Sequence, residues 1–161
     1  DAQESRGLGD VYKRQVHWID VERAIDGVDV IGEALDWALA ALPQGPVAIA
    51  TSAHAPAIER VQARIGRHEA AALAEDILGR LAVQLRDAGV KRFVISGGET
   101  SGSVLEHLAI DRLQVGPYAG PGIARAVTLG AAPLALCLKS GKLGPVDMLL
   151  PMLQSMRDAA R

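Results

Sequence analysis

The chain has 161 residues, a formal net charge of −2 and 49% hydrophobic residues, which suffices for one domain with a core of its own. The near-neutral charge gives no general attraction to nucleic acid or anionic membrane. No run approaches the roughly 18 uninterrupted apolar residues of a membrane-spanning helix, and none has the layout of a signal peptide. A soluble cytoplasmic protein is the expectation. With aromatics at only 3%, the core must be built from Ala, Val, Leu and Ile. The single cysteine, Cys137, excludes an internal disulfide and a zinc site made by cysteines alone. Its apolar neighbours Leu134, Ala135, Leu136 and Leu138 mark it as a small core residue.

Residues 1–15 stand apart. The stretch Asp10-Val11-Tyr12-Lys13-Arg14-Gln15 resembles the translation of a transposase adapter used in building sequencing libraries.

 Residues 1–15 are therefore expected to be foreign or disordered, with the natural chain continuing upstream of Val16.

From there the elements follow in order. A short β-prone run over 16–20 rests on Val16 and Ile19. Ile31, Leu35, Ala38, Leu39 and Leu42 have helical spacing, and Pro43 stops the helix. Residues 46–52, bounded by Gly45-Pro46, read as a buried strand. Over 68–88, Ala72, Leu73, Ile77, Leu81 and Leu85 share a helical face, and Gly89 stands where helices commonly end. A second buried strand, Arg92-Phe93-Val94-Ile95, runs into a glycine-rich turn over 96–102. A short helix over 103–109 follows, through Val104, Leu105 and Leu108. Residues 125–129 and 133–138 read as two strands that can pair through Gly130-Ala131-Ala132. A last helix over 145–157 buries Val146, Leu149, Leu150 and Leu153, with Pro151 kinking it or shifting its start. This alternation predicts an α/β domain, a mostly parallel sheet flanked by helices, its late strand pair possible as antiparallel.

The turn over 96–102 is the most informative segment. It follows a buried strand and precedes a helix, where ligands bind in open α/β sheets. Glycines allow close backbone approach, and the free N–H groups of a helix start suit a phosphate. Thr100, Ser101 and Ser103 add hydroxyls. A tight structural turn is the alternative. Lys139-Ser140-Gly141-Lys142-Leu143-Gly144 repeats the arrangement after a second apolar strand. In a parallel sheet both loops would leave at one edge, where two lysines would make a cationic phosphate cradle. Solvated lysines on an ordinary turn are the plainer reading.

Two familiar nucleotide motifs are absent. A P-loop would need glycine at Leu136 and Ser or Thr at Leu143. A G-x-G-x-x-G would need glycine at Glu99. His17, His54, His68 and His107 lack metal-ligand spacing, and no Ser–His–Asp set follows from spacing. Glu99 and Asp147 could hold Mg²⁺ through water, although a helix N-terminal role explains each almost as well.

At these loops the chain resembles the nucleotide-binding C-terminal domain of the four-carbon acid sugar kinases, the 3-oxo-tetronate, threonate and erythronate kinases. The resemblance is carried by Val94-Ile95-Ser96-Gly97-Gly98-Glu99-Thr100-Ser101-Gly102, Leu113-Gln114-Val115-Gly116-Pro117, Pro121-Gly122 and Leu134-Ala135-Leu136-Cys137-Leu138-Lys139-Ser140-Gly141, with Gly144 and Asp147. Ala50-Thr51-Ser52-Ala53 is similar too. It implies ATP-dependent phosphorylation of a terminal hydroxyl on a four-carbon sugar acid, with Mg²⁺. It also implies ATP contacts at Gly97, Gly98, Glu99, Thr100 and Gly141, and a separate N-terminal domain that binds the sugar acid. No catalytic base is assigned. Residues 16–161 would then be a C-terminal fragment of a two-domain kinase, incomplete at its N-terminal sheet edge and inactive alone. A non-catalytic nucleotide- or phosphosugar-binding module is the alternative, and an empty scaffold a third. The chain departs from the family pattern at Lys142-Leu143, where Asn-Phe is usual, and at Ile123-Ala124-Arg125, which lacks an aromatic often found after Pro-Gly.

Overall fold

The computed structural model describes residues 15–51, 54–143 and 148–156. The first strand, β1 (Val16–Trp18), pairs in parallel with β2 (Ala48–Ala50), Val16 opposite Ala48 and Trp18 opposite Ala50. The ladder extends at both ends, through Ala48 N–H to the Gln15 carbonyl at 2.9 Å and Ile19 N–H to the Ala50 carbonyl at 2.8 Å. Two capped helices connect these strands. In α1 (Val21–Ile25) the Asp20 carboxylate accepts from Glu22 N–H, and in α2 (Val30–Ala41) Asp29 accepts from Gly32 N–H; each satisfies a donor that the helix itself leaves open. Pro43 does end α2, through a single 3₁₀ turn over Leu42–Gln44.

Next come α3 (Ala55–Ile65) and the long α4 (Arg67–Asp87). Ile19, Val30, Ile31, Ala34, Ala38, Val61, Ile77 and Leu81 close the first core. The sequence reading missed α1 and α3. The first is barely more than a turn; the second has Ile58, Val61 and Ile65 at helical spacing but buries only Val61.

The second half holds β3 (Arg92–Ser96), α5 (Gly98–His107), β4 (Leu113–Val115), β5 (Ile123–Thr128), β6 (Ala135–Lys139) and α6 (Leu149–Ser155). Their four strands run in the order β3-β6-β5-β4. On one face Ile95, Leu134 and Leu136 pack with Ala82 of α4 and with Val104 and Leu108 of the α5 region. On the other, Ala135 and Cys137 pack with Met152, Leu153 and Met156. Cys137 is the core residue its neighbours suggest, and burial pushes its thiol pKa up.

The expectation of a mostly parallel sheet is corrected. Only β3–β6 is parallel in this sheet; β5–β6 and β4–β5 are antiparallel. The reason is connection length. A short turn after Thr128 and the loop after Val115 can join only antiparallel neighbours, whereas a parallel pair needs a long crossover. The predicted pairing through Gly130-Ala131-Ala132 is present.

Helix α5 also differs from expectation, beginning at Gly98 rather than after the glycine-rich segment. Glycines cost a helix about 1 kcal/mol each relative to Ala, but Val104 and Leu108 are anchored in the core, and packing overrides propensity. The last helix starts later than read, with Pro151 inside its first turn, where a missing N–H costs little. Residues 1–14, Ser52, Ala53, Gly144, Pro145, Val146, Asp147 and 157–161 lie outside the described residues, as do the readings placed on them. Among the described residues no helix is long and apolar enough to cross a membrane.

Candidate functional site

The parallel pair β3–β6 does what the sequence reading required of it. Ser96 stands opposite Lys139, so the segments that follow, with Gly97, Gly98, Glu99 and Thr100 on one side and Ser140 and Gly141 on the other, leave at one sheet edge. Gly97 N–H donates to the Lys139 carbonyl at 2.9 Å. The antiparallel course of β5 brings a third segment to this edge, because Ile123 also pairs with Lys139. Ser140 N–H donates to the Gly122 carbonyl at 2.8 Å.

Two glycines are required here by conformation. Gly97 has φ +108°, and a Cβ on it would meet Thr100 Oγ1 at 3.0 Å. Gly122 has φ +66°, and a Cβ there would press on Leu143 and Ser140. Each lies in the left-handed region that costs other residues free energy.

Gly97 is the N-cap of α5 and has no side chain to offer, so no side chain caps this helix. The first backbone bond runs from Ser101 N–H to the Gly97 carbonyl, at 2.9 Å, reinforced by Ser101 Oγ donating to the same oxygen at 2.7 Å. The N–H groups of Gly98, Glu99 and Thr100 precede that bond and form a donor set suited to an anion. Lys139 has a more local task than the cradle reading gave it. Its Nζ donates to the carbonyls of Ser140 at 2.9 Å and Gly141 at 3.0 Å, which folds the loop back on its own lysine and leaves one ammonium proton over. Lys142 is exposed.

The histidines have structural settings. His17 packs on Trp37 with ring centroids 5.1 Å apart, and His54 is the N-cap residue of α3. His107 joins Ser103 and Asp76, a grouping that spacing could not show because Asp76 belongs to α4. It is a clasp rather than a nucleophile with its base. His107 Nδ1 lies 2.8 Å from the Ser103 carbonyl and Nε2 lies 3.1 Å from Asp76 Oδ1, while Ser103 Oγ donates to the Glu75 carbonyl at 3.1 Å. With acceptors at both nitrogens, first the Ser103 carbonyl and then Asp76, the His107 pKa is raised against the opposing effect of burial.

No group of three or more metal-ligating side chains occurs among the described residues. A cavity of about 280 Å³ lies elsewhere, between the turn after α1 and α4, lined by Gly27, Asp29, Asp76, Ile77 and Arg80. It includes none of the loop residues.

An α/β domain with an uncapped helix start beside a lysine-stapled loop defines a class whose strand ends are suited to an anionic ligand. Comparison with known proteins makes the class specific. Residues 5–149 match the family described as the nucleotide-binding C-terminal domain, and the chain belongs to that family, the C-terminal domain of the four-carbon acid sugar kinases. It is 41% identical over 137 residues to a 3-oxo-tetronate kinase of Pseudomonas fluorescens, covering 81% of this chain and 32% of that one. A 3-oxo-tetronate kinase of Burkholderia multivorans is 39% identical over 142 residues, covering 88% and 33%. A crystal structure of a Haemophilus influenzae protein superposes with a TM-score of 0.80 at 26% identity, covering 96% of this chain and 37% of that one. The chain thus spans about a third of the length of the curated relatives it matches.

Proposed function

We propose that residues 16–161 form the ATP-binding part of a cytoplasmic kinase that phosphorylates a four-carbon sugar acid of the 3-oxo-tetronate type. One observation carries the reading. The parallel register of Ser96 with Lys139 joins the two glycine-rich segments at one edge, beside the uncapped start of α5. There Gly98, Glu99 and Thr100 present backbone N–H groups to the ATP phosphates, Gly97 permits the close approach, and Gly141 lines the facing loop. The relatives named as 3-oxo-tetronate kinases support the substrate class.

Glu99 stands in the first turn of α5, where its carboxylate would hold Mg²⁺, directly or through water, beside the nucleotide. When bound it neutralises charge as the phosphoryl group moves. The residues of this chain bind and orient the nucleotide, and the sugar acid with its catalytic base is assigned to a separate N-terminal domain. On this reading the chain alone does not turn over.

Amide NMR of the chain with and without Mg·ADP tests the reading. Joint shifts of the Gly97, Gly98, Thr100 and Gly141 amides are expected. A dispersed spectrum in which none of them moves at millimolar ligand would overturn it.

A further inference from the structure

Charge is divided unevenly over the four-stranded sheet. Side chains alternate along a strand, and the registers set Arg92 opposite Ala135, Arg125 opposite Cys137 and Lys139 opposite Ile123. Arg92, Arg125 and Lys139 therefore share one face, the face on which Ala135, Cys137 and Ile123 pack with the residues of α6. The described strands and α6 contribute no carboxylate to it. None of these three cations takes part in an ion pair among the described residues.

Arg125 is the one least occupied near the site. Its guanidinium is half-buried and carries five N–H donors. Nη2 donates to the Pro117 carbonyl at 3.3 Å, while Nε is buried without a partner among the described residues. A cation drawn out of water is costly unless an anion faces it. The Pro117 bond also ties this cation to the site edge, because residues 116–122 join β4 to β5 there and Gly122 accepts from Ser140 N–H. Arg125 and Lys139 both act on the Cys137 thiol, opposite the first and two residues from the second: burial raises its pKa, and the two cations oppose the rise. Arg125 also lies in the stretch Ile123-Ala124-Arg125, where the chain departs from the family pattern.

We propose that Arg125 is a phosphate-binding residue of the nucleotide site, its counter-charge supplied by the ligand. The proposal rests on the nucleotide-binding reading above and adds a charged side chain to a donor set otherwise made of backbone N–H groups. Lys139 is largely committed to the Ser140 and Gly141 carbonyls. Arg125 has donors left over once Pro117 is served, and a guanidinium takes phosphate oxygens in pairs.

The test titrates the 161-residue chain and its Arg125→Gln variant with Mg·ADP and with Mg·tripolyphosphate by calorimetry. Arg125→Gln should weaken both ligands together, by about tenfold or more, the scale of a hydrogen bond to a charged group. Unchanged affinity for both overturns the proposal while sparing the nucleotide reading. So does weakening of ADP alone, which would make Arg125 a support for the 116–122 segment and no phosphate contact. A second measurement needs no variant: the Arg125 side-chain Nε–H signal of the unaltered chain, assigned through bonds by NMR, should shift with tripolyphosphate. A signal that stays in place at saturation overturns the proposal. If the unaltered chain binds neither ligand, the nucleotide reading and this proposal fall together.

Discussion

Gly79 of α4 and His107 of α5 are in direct apposition: a methyl group built on Gly79 would overlap the imidazole ring. The ring has little freedom to yield, because the Ser103 carbonyl and Asp76 hold its two nitrogens. Overpacking costs about 1–3 kcal/mol, while exchanging Gly for Ala inside a helix returns about 1 kcal/mol. Gly79→Ala is therefore expected to destabilise the chain in urea unfolding. In a His107→Ala background the same change should become stabilising. Destabilisation of equal size in both backgrounds would rule out this contact as the cause.

The His107 clasp also gives stability a pH dependence of known sign. Its folded pKa is raised, so its contribution is fully present below the ordinary histidine value of about 6.5 and is lost as pH rises through the folded value. The advantage in urea midpoint of the unaltered chain over His107→Gln should shrink as pH is raised from about 6 to 8. An advantage that grows over that range would contradict the geometry.

Gly97→Ala should separate binding from folding. Forcing a side chain to positive φ costs about 1–3 kcal/mol, and the new Cβ crowds Thr100 where the proposed phosphate donors begin. Loss of Mg·ADP binding is expected from a chain that still unfolds cooperatively. Normal affinity in that variant would remove Gly97 from the site.

Lys139→Met keeps an unbranched stem, shorter by the one terminal atom, and removes the ammonium. The carbonyls of Ser140 and Gly141 then lose their charged donor, at a cost of about 1 kcal/mol or more. Faster hydrogen exchange across Ser140–Leu143 and weaker ADP binding should appear together. Unaltered exchange would show that the loop holds its shape without the lysine.

Much of this was legible in the chain because its carriers are local. Ile31 to Leu42 and Ala72 to Leu85 declare their helices by spacing, and Phe93, Val94 and Ile95 announce a strand between a glycine and a glycine-rich segment. The shared edge of the two loops was also readable, conditional on a parallel pair. What escaped depends on distance in sequence. Strand direction for β4 and β5 follows from how their connections close in space. The early start of α5 follows from Val104 and Leu108 pulling glycines into a helix. Asp76 and His107 are 31 residues apart and meet only once α4 and α5 pack.

The two bonds that fasten the site edge come from one peptide group. The Lys139 carbonyl that accepts from Gly97 and the Ser140 N–H that donates to Gly122 are the two ends of a single amide. That amide is planar and stiff, so it behaves as a plate with a neighbour pinned to each rim. Tilting the plate to free one neighbour also misaligns the bond to the other. The flanking segments are thereby geared together, and the edge holds or releases them as a pair.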